Sequence, residues 1–329
     1  MKNTKIRTII EEHPYAVDFF QTYSLNLNEI ADLTISEMLA SFTIKELEDM
    51  AIDPVQFEHD LENFLEMMAG FKEENSSNIQ SITILPGMNK DGERESFEEI
   101  VLKKSDIVSI VGATGSGKSR LLADIEWLAN HDTPTGRKIL IDGKDPDYSQ
   151  RYNPQNKIVA QLSQNMNFVM DLSVYEFVEL HANSRMVENP KEKIAKILEC
   201  ANDLAGERFK PETHITSLSG GQSRALMIAD TAILSKSSIV LIDEIENAGI
   251  DRYKALSLLT DEEKIVLIAT HDPALALMAD RRLIIKNGAI SKIIETSEEE
   301  KQVLEKLDFY ESALHNYRQQ LRYGEILKK

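Results

Sequence analysis

The chain has 329 residues, 42% of them hydrophobic, enough for one large domain with appendages or for two domains around a sizeable core. Its formal net charge of −18 works against sequence-independent contact with phosphate backbones, so no nucleic acid is expected as a partner. A single cysteine, Cys200, excludes an internal disulfide and a cysteine-rich metal site.

The first segment, residues 1–70, reads as a small all-α domain. An Ile-rich helix opens at Thr4 and is punctuated by Pro14, and Tyr15 to Tyr23 carries Val17, Phe19 and Phe20. Thr34-Ile35-Ser36-Glu37 and Thr43-Ile44-Lys45-Glu46 fit the capping box, in which a hydroxyl and a carboxylate satisfy the free amides of a helix start. Asp53-Pro54 is a further start signal, Phe57, Leu61, Phe64, Leu65 and Met68 share one helical face, and Gly70 is the expected stop. Residues 71–80 are polar and aperiodic, the habit of a linker.

From residue 81 to 295, short β-branched runs alternate with helical patterns, which predicts an α/β domain. The apolar run Ile107–Val111 leads straight into Gly112-Ala113-Thr114-Gly115-Ser116-Gly117-Lys118-Ser119, followed by a helix beginning Arg120-Leu121-Leu122. This strand–GxxxxGK[ST]–helix order is the P-loop: glycines let backbone amides curl around phosphate oxygens, and the helix start adds its dipole. Lys118 can then reach the β- and γ-phosphates of a bound nucleotide, and Ser119 can be a ligand for Mg²⁺. A second buried-type strand, Ser238 to Ile242, ends on Asp243 and Glu244. Two carboxylates closing an apolar strand need work or partners. Beside a P-loop, Asp243 suits the Mg²⁺ shell and Glu244 the base that orients or deprotonates the attacking water. A third strand, Ile265–Thr270, ends at His271, whose neutral imidazole can bond a γ-phosphate. In residues 296–329, Val303, Leu307, Tyr310, Leu314, Tyr317 and Leu321 recur at heptad-like spacing behind a capping box, Ser297 to Glu300. That pattern fits either a helix packed back on its own domain or a coiled coil. No signal-peptide core is visible, and no run approaches the ~18 apolar residues that span a bilayer. The expected location is cytoplasmic, with any membrane attachment made through a partner.

Leu218-Ser219-Gly220-Gly221-Gln222 narrows the reading, because it resembles the signature sequence of the ABC (ATP-binding cassette) ATPases. The resemblance covers residues 81–295 and implies a P-loop NTPase with a RecA-like core and a helical subdomain at about 165–232. It implies further roles. Gln164 matches the glutamine that senses Mg²⁺ and the attacking water, Asp251 the D-loop aspartate, and His271 the switch histidine. Two cassettes would meet head to tail, each P-loop completed by Ser219, Gly220, Gly221 and Gln222 of the other, as a homodimer or with a paired ABC subunit.

The sequence also departs from that family. No Phe, Tyr or Trp occurs between Ile79 and Ser96, where the aromatic that stacks on adenine is expected, and Phe97 is close to the loop. Ile245 and Glu246 stand in place of the usual proline and threonine, and the stretch from Asp251 to His271 has room for one brief helix. The N-terminal segment loosely resembles a helical domain of iron–sulfur repair and hybrid-cluster-associated proteins, through its Ile-rich helix, His13-Pro14 and Phe19-Phe20. The stretch Ser24 to Asn28, where that group often has cysteines, carries no thiol. Two functions follow. One is an ATPase whose dimerisation cycle drives a soluble client, an enzyme or a maturation factor, in metallocofactor maturation or enzyme activation. The other is the ATP-hydrolysing subunit of a membrane transporter, with a permease as client.

Overall fold

The computed structural model describes the chain apart from residues 1–3, 14–15, 24, 75–78, 153–156, 164–167, 186, 188, 245–248 and 328–329. It divides into two compact units, Met1–Ser77 and Asn78–Lys329.

The first unit is all helical: α1 (Ile6–Glu12), α2 (Ala16–Thr22), α3 (Leu27–Ile30), α4 (Ile35–Ser41), α5 (Ile44–Asp49) and α6 (Phe57–Glu74). Both capping boxes form. The Glu37 amide donates to Thr34 Oγ1 at 3.3 Å while the Thr34 amide donates to Glu37 at 2.8 Å, and the Thr43 amide donates to Glu46 at 2.7 Å. Aromatic packing holds the unit: Phe19 sits 5.3 Å from Phe57 and Tyr23 and 5.4 Å from Phe64, between ring centroids. Two expectations need correction. Asp53-Pro54 opens a turn rather than the helix itself, which starts at Phe57. Gly70 does not stop α6, which runs on to Glu74. Phe71-Lys72-Glu73-Glu74 contains no breaker, and one glycine costs only about 1 kcal/mol inside a helix with a packed face. The expected linker therefore begins as helix.

The second unit runs β1 (Ser81–Leu85), β2 (Ile100–Lys103), β3 (Ile107–Val111), α7 (Lys118–Glu126), β4 (Lys138–Ile141), α8 (Tyr148–Tyr152), β5 (Val159–Leu162), α9 (Val174–Ser184), α10 (Pro190–Leu204), α11 (Gly220–Ile233), β6 (Ile239–Asp243), α12 (Arg252–Asp261), β7 (Ile265–Ala269), α13 (Pro273–Met278), β8 (Arg281–Lys286), β9 (Ala289–Glu295) and α14 (Glu298–Arg322). Strands β2-β1-β4 make a small antiparallel sheet. The main sheet has the order β5-β6-β7-β3-β8-β9, parallel except for β9 at its edge. Its inner strands are buried on both faces, which explains their unbroken apolar runs; every residue of β7 is buried. α7 and the small sheet cover one face, and α11, α12 and α13 the other. α9, α10 and α11 form a separate helical layer around Val174, Phe177, Ile194, Ile197 and Leu226. Serine caps two of these helices: Ser173 boxes with Glu176 at α9, and Ser219 with Gln222 at α11.

The start of α14 is tied to the sheet by Arg282, which donates to Glu300 at 2.6 Å, and to α12 by Tyr253, which donates to Asp308 at 2.5 Å. The heptad-like stripe is not packed back: Tyr310 is 63% exposed, Leu314 53% and Leu321 60%.

Candidate functional site

In an open sheet of parallel strands, ligands bind beyond the carboxyl ends, where the strand order reverses. Here that point is β3, whose neighbours β7 and β8 both follow it in sequence. A cleft of about 800 Å³ opens there, lined by residues 113–120, Met88, Asn89, Lys90, Pro134, Thr135, Asp243, Glu244 and Gly288. The structure thus brings the expected P-loop residues, Arg120 and both strand-end carboxylates to one cavity. Gly112 sits at the root of the loop, where an added Cβ would fall 2.6 Å from the Ile285 carbonyl oxygen.

The loop's shape follows from two residues. Gly117 caps α7 at φ 115°, a conformation that L side chains resist, and an added Cβ would meet Gly288 Cα at 2.8 Å. Lys118 turns back over the loop and donates to the carbonyls of Gly112 at 2.7 Å and Ala113 at 3.4 Å. The Lys118 and Ser119 amides opening α7 have no intrahelical acceptor, so with the lysine they can form a site for anionic oxygens.

Asp243 ends β6 in register with Ala269 of β7. The next residue, Glu244, adopts φ 52°, and its amide donates to the Ala269 carbonyl at 3.0 Å. A non-glycine residue held there costs about 1–3 kcal/mol, a strain that clusters at functional positions. The turn delivers the carboxylate to the cleft. His271, one residue beyond β7 and Thr270, lies 4.0 Å from Glu244 through Nδ1, and both side chains reach solvent. Among the described residues no His, Cys, Asp and Glu cluster could hold a metal by itself. The donors in the cleft, the Ser119 hydroxyl and the Asp243 carboxylate, instead match Mg²⁺ shared with phosphates, an ion bound through one or two protein oxygens.

The other expected residues lie elsewhere. Ser219, Gly220, Gly221 and Gln222 form the start of α11 and do not line the cleft. Ser219 and Gly220 are exposed, and Gln222 donates to the Glu207 carbonyl at 3.2 Å. Asp251 caps α12, accepting from the Lys254 amide at 3.1 Å. Gln164, Ile245 and Glu246 fall outside the described residues.

Sequence reasoning missed the floor of the cleft. Arg137, fully buried, donates to Glu95 at 2.5 and 3.1 Å, to Asp124 at 2.8 Å and to the Gly288 carbonyl at 3.1 Å. Burial opposes its charge, but bonds to the two carboxylates more than offset this and raise its pKa. Glu95 also accepts from the amides of Gly87 and Ile290, and Asp124 from Thr135 Oγ1 at 2.8 Å. Gly288 in turn donates to the Ser116 carbonyl at 2.7 Å. A buried ion triad therefore joins α7, the β8–β9 turn and residues 87–95 beneath the phosphate loop. One signal was available: Asp124 interrupts the buried stripe Leu121, Leu122, Ile125, and an acid there requires a buried cation.

Comparisons with known proteins bear on the family and the fold. The ABC transporter family model matches residues 99–247. An uncharacterized ABC transporter ATP-binding protein of Methanocaldococcus jannaschii is 50% identical over 249 residues, covering 76% of this chain and 95% of that protein. A methionine import ATP-binding protein of Haemophilus ducreyi is 29% identical, with 60% of this chain spanning 57% of that protein's length. Among solved structures, a subunit of an ABC transporter complex from Clostridium perfringens shares the fold at TM-score 0.53 and 23% identity, over 73% of this chain and 99% of that one.

Proposed function

This chain belongs to the ABC ATPase family, and from that premise we propose that it is the ATP-hydrolysing subunit of a membrane ABC transporter. The observation that carries the reading is the 50% identity to a transporter ATP-binding protein over nearly the whole of that relative. No helix among the described residues is long and apolar enough to cross a membrane, so a permease partner would hold the subunit at the cytoplasmic face.

The residues fit the chemistry in order. The loop amides of residues 113–119 and Lys118 take the phosphates. Ser119 and Asp243 would hold Mg²⁺, which would supply positive charge against the phosphates. Glu244, on its strained turn, orients the attacking water and accepts its proton, and His271 stands beside it to bond the γ-phosphate. Ser219 and Gly220 are exposed and Gly221 is half-buried at a helix start, outside their own cleft. They complete the cleft of a second cassette, so that γ-phosphate charge meets donors on both sides.

The expectation of a soluble client in metallocofactor maturation gains no support from these relatives. Cys200 also argues against thiol chemistry, since burial pushes its pKa up and suppresses the thiolate.

Glu244→Gln tests the assignment. The variant should hydrolyse ATP about two to four orders of magnitude more slowly, the usual contribution of a positioned base, and accumulate an ATP-bound dimer. Purified from detergent-solubilised cells, that dimer should carry an integral membrane protein in stoichiometric yield. A soluble enzyme in its place would overturn the transporter reading, and wild-type turnover would overturn the role of Glu244.

A further inference from the structure

We propose that Lys90 is a second phosphate-binding cation of the nucleotide cleft, set on a strap, Met88 to Arg94, that the family signature does not include. The inference rests on the reading of the cleft as a nucleoside triphosphate site.

The strap is built to hold one position. Met88 and Arg94 bridge antiparallel, and the Asn89 side-chain oxygen accepts from the amides of Asp91 and Glu93, both at 2.9 Å. The Met88 amide donates to the Thr135 carbonyl at 2.7 Å and the Lys90 amide to the Asn287 carbonyl at 2.9 Å. Asn287 closes the loop from the other side by donating to Asp91 at 2.6 Å. The Lys90 stem then lies across Gly288, where an added Cβ would approach Lys90 Cγ to 3.1 Å.

Held this way, the Lys90 ammonium donates to the Gly115 carbonyl at 3.0 Å. Lys118 grips the same loop from its other end, at Gly112. Two ammonium groups therefore line one cleft, and each rests on a neutral carbonyl of the phosphate loop. Among the described residues Lys90 forms no ion pair, and the acids near it in sequence, Asp91 and Glu93, accept from Asn287 and Asn89. An anionic phosphate oxygen is a stronger acceptor than the carbonyl Lys90 now uses, since charge-assisted bonds are about twice as strong as neutral ones. A small rotation of the outer stem exchanges one acceptor for the other. The contact is to phosphate and not to the base, so the ligand class is any linear triphosphate.

The test measures Kd for MgATP and for magnesium tripolyphosphate, which has no base or sugar, in the wild type, K90M, K90R and K118A. K90M should weaken both ligands about tenfold and lower the slope of log Kd against log salt, while K90R keeps most of the affinity. A role confined to supporting the Gly115 carbonyl would leave the salt slope unchanged, and that result overturns the proposal. So does wild-type tripolyphosphate affinity in K90M. If the wild type binds neither ligand, or K118A binds as well as the wild type, the nucleotide reading itself fails. Equal melting temperatures of K90M and the wild type without ligand exclude misfolding as the cause.

Discussion

Replacing Arg137 with methionine removes one guanidinium that serves two buried carboxylates and the Gly288 carbonyl. The loss is unevenly shared. Glu95 keeps two amide donors, from Gly87 and Ile290, whereas Asp124 keeps only the Thr135 hydroxyl. Asp124 Oδ1 already has no hydrogen-bond partner among the described residues. Breaking a buried pair from one side costs about 3–5 kcal/mol, and two stranded acids place R137M at the upper end, near 5 kcal/mol. At about 2–4 °C per kcal/mol, appropriate to a domain the size of the second unit, its transition should fall by roughly 10–20 °C. Differential scanning calorimetry of the full chain resolves this if the two units melt separately. R137M/D124N should regain several degrees, because it removes the acid with fewer remaining donors. The same variant should raise KM for ATP, since Gly288 supports Ser116 from below. A drop under about 3 °C would refute the claim that the triad carries the cleft's floor.

Gly117→Ala should abolish ATP binding as read by calorimetry, because both φ 115° and the contact with Gly288 forbid a Cβ; binding within a factor of two of the wild type would count against that geometry. Phe19→Ala should cost the first unit about 3–5 kcal/mol and leave the ATPase rate of the second unchanged. A pH series on Glu176→Gln tests the α9 cap. Bonds from the Ser173 amide and hydroxyl hold the Glu176 carboxyl below its ordinary value. A lowered folded-state pKa means the stabilisation is present above the ordinary value and is lost as pH falls through the folded one. The wild type should thus melt above E176Q at pH 7, and the gap should close in acid; a gap that persists or widens would contradict the assignment.

Features encoded by near neighbours were legible in the sequence. Strand, glycine loop and helix follow one another from Ile107 to Glu126, so this unit could be read from spacing alone. Asp243 and Glu244 were readable as a cost, two acids at the end of a buried strand, although the left-handed turn at Glu244 was not. The capping boxes at Thr34, Thr43 and Ser297 formed where their spacing put them. What escaped depends on distant partners. Arg137 meets Glu95 across 42 positions and Gly288 across 151, and no local pattern registers such pairs. Lys90 carries no local signal, because Gly115 and Asn287, both distant in the chain, are what aim it. The end of α6 was misread for the opposite reason, a local signal at Gly70 that a packed helix overrode.

The Asn287–Gly288 turn also sets an order of assembly. The turn that seats Ser116 belongs to the last strand pair of the chain, β8 and β9. A ribosome adding about 5–20 residues per second completes the phosphate loop roughly 10–30 s before it supplies that turn. For that interval the nascent chain carries the whole glycine motif with no surface beneath it. The first unit, Met1–Ser77, lies wholly ahead of the phosphate loop and has been synthesised by then. Nucleotide can be gripped only by nearly finished chains, so a truncated product ending before β9 would display the motif and fail to bind.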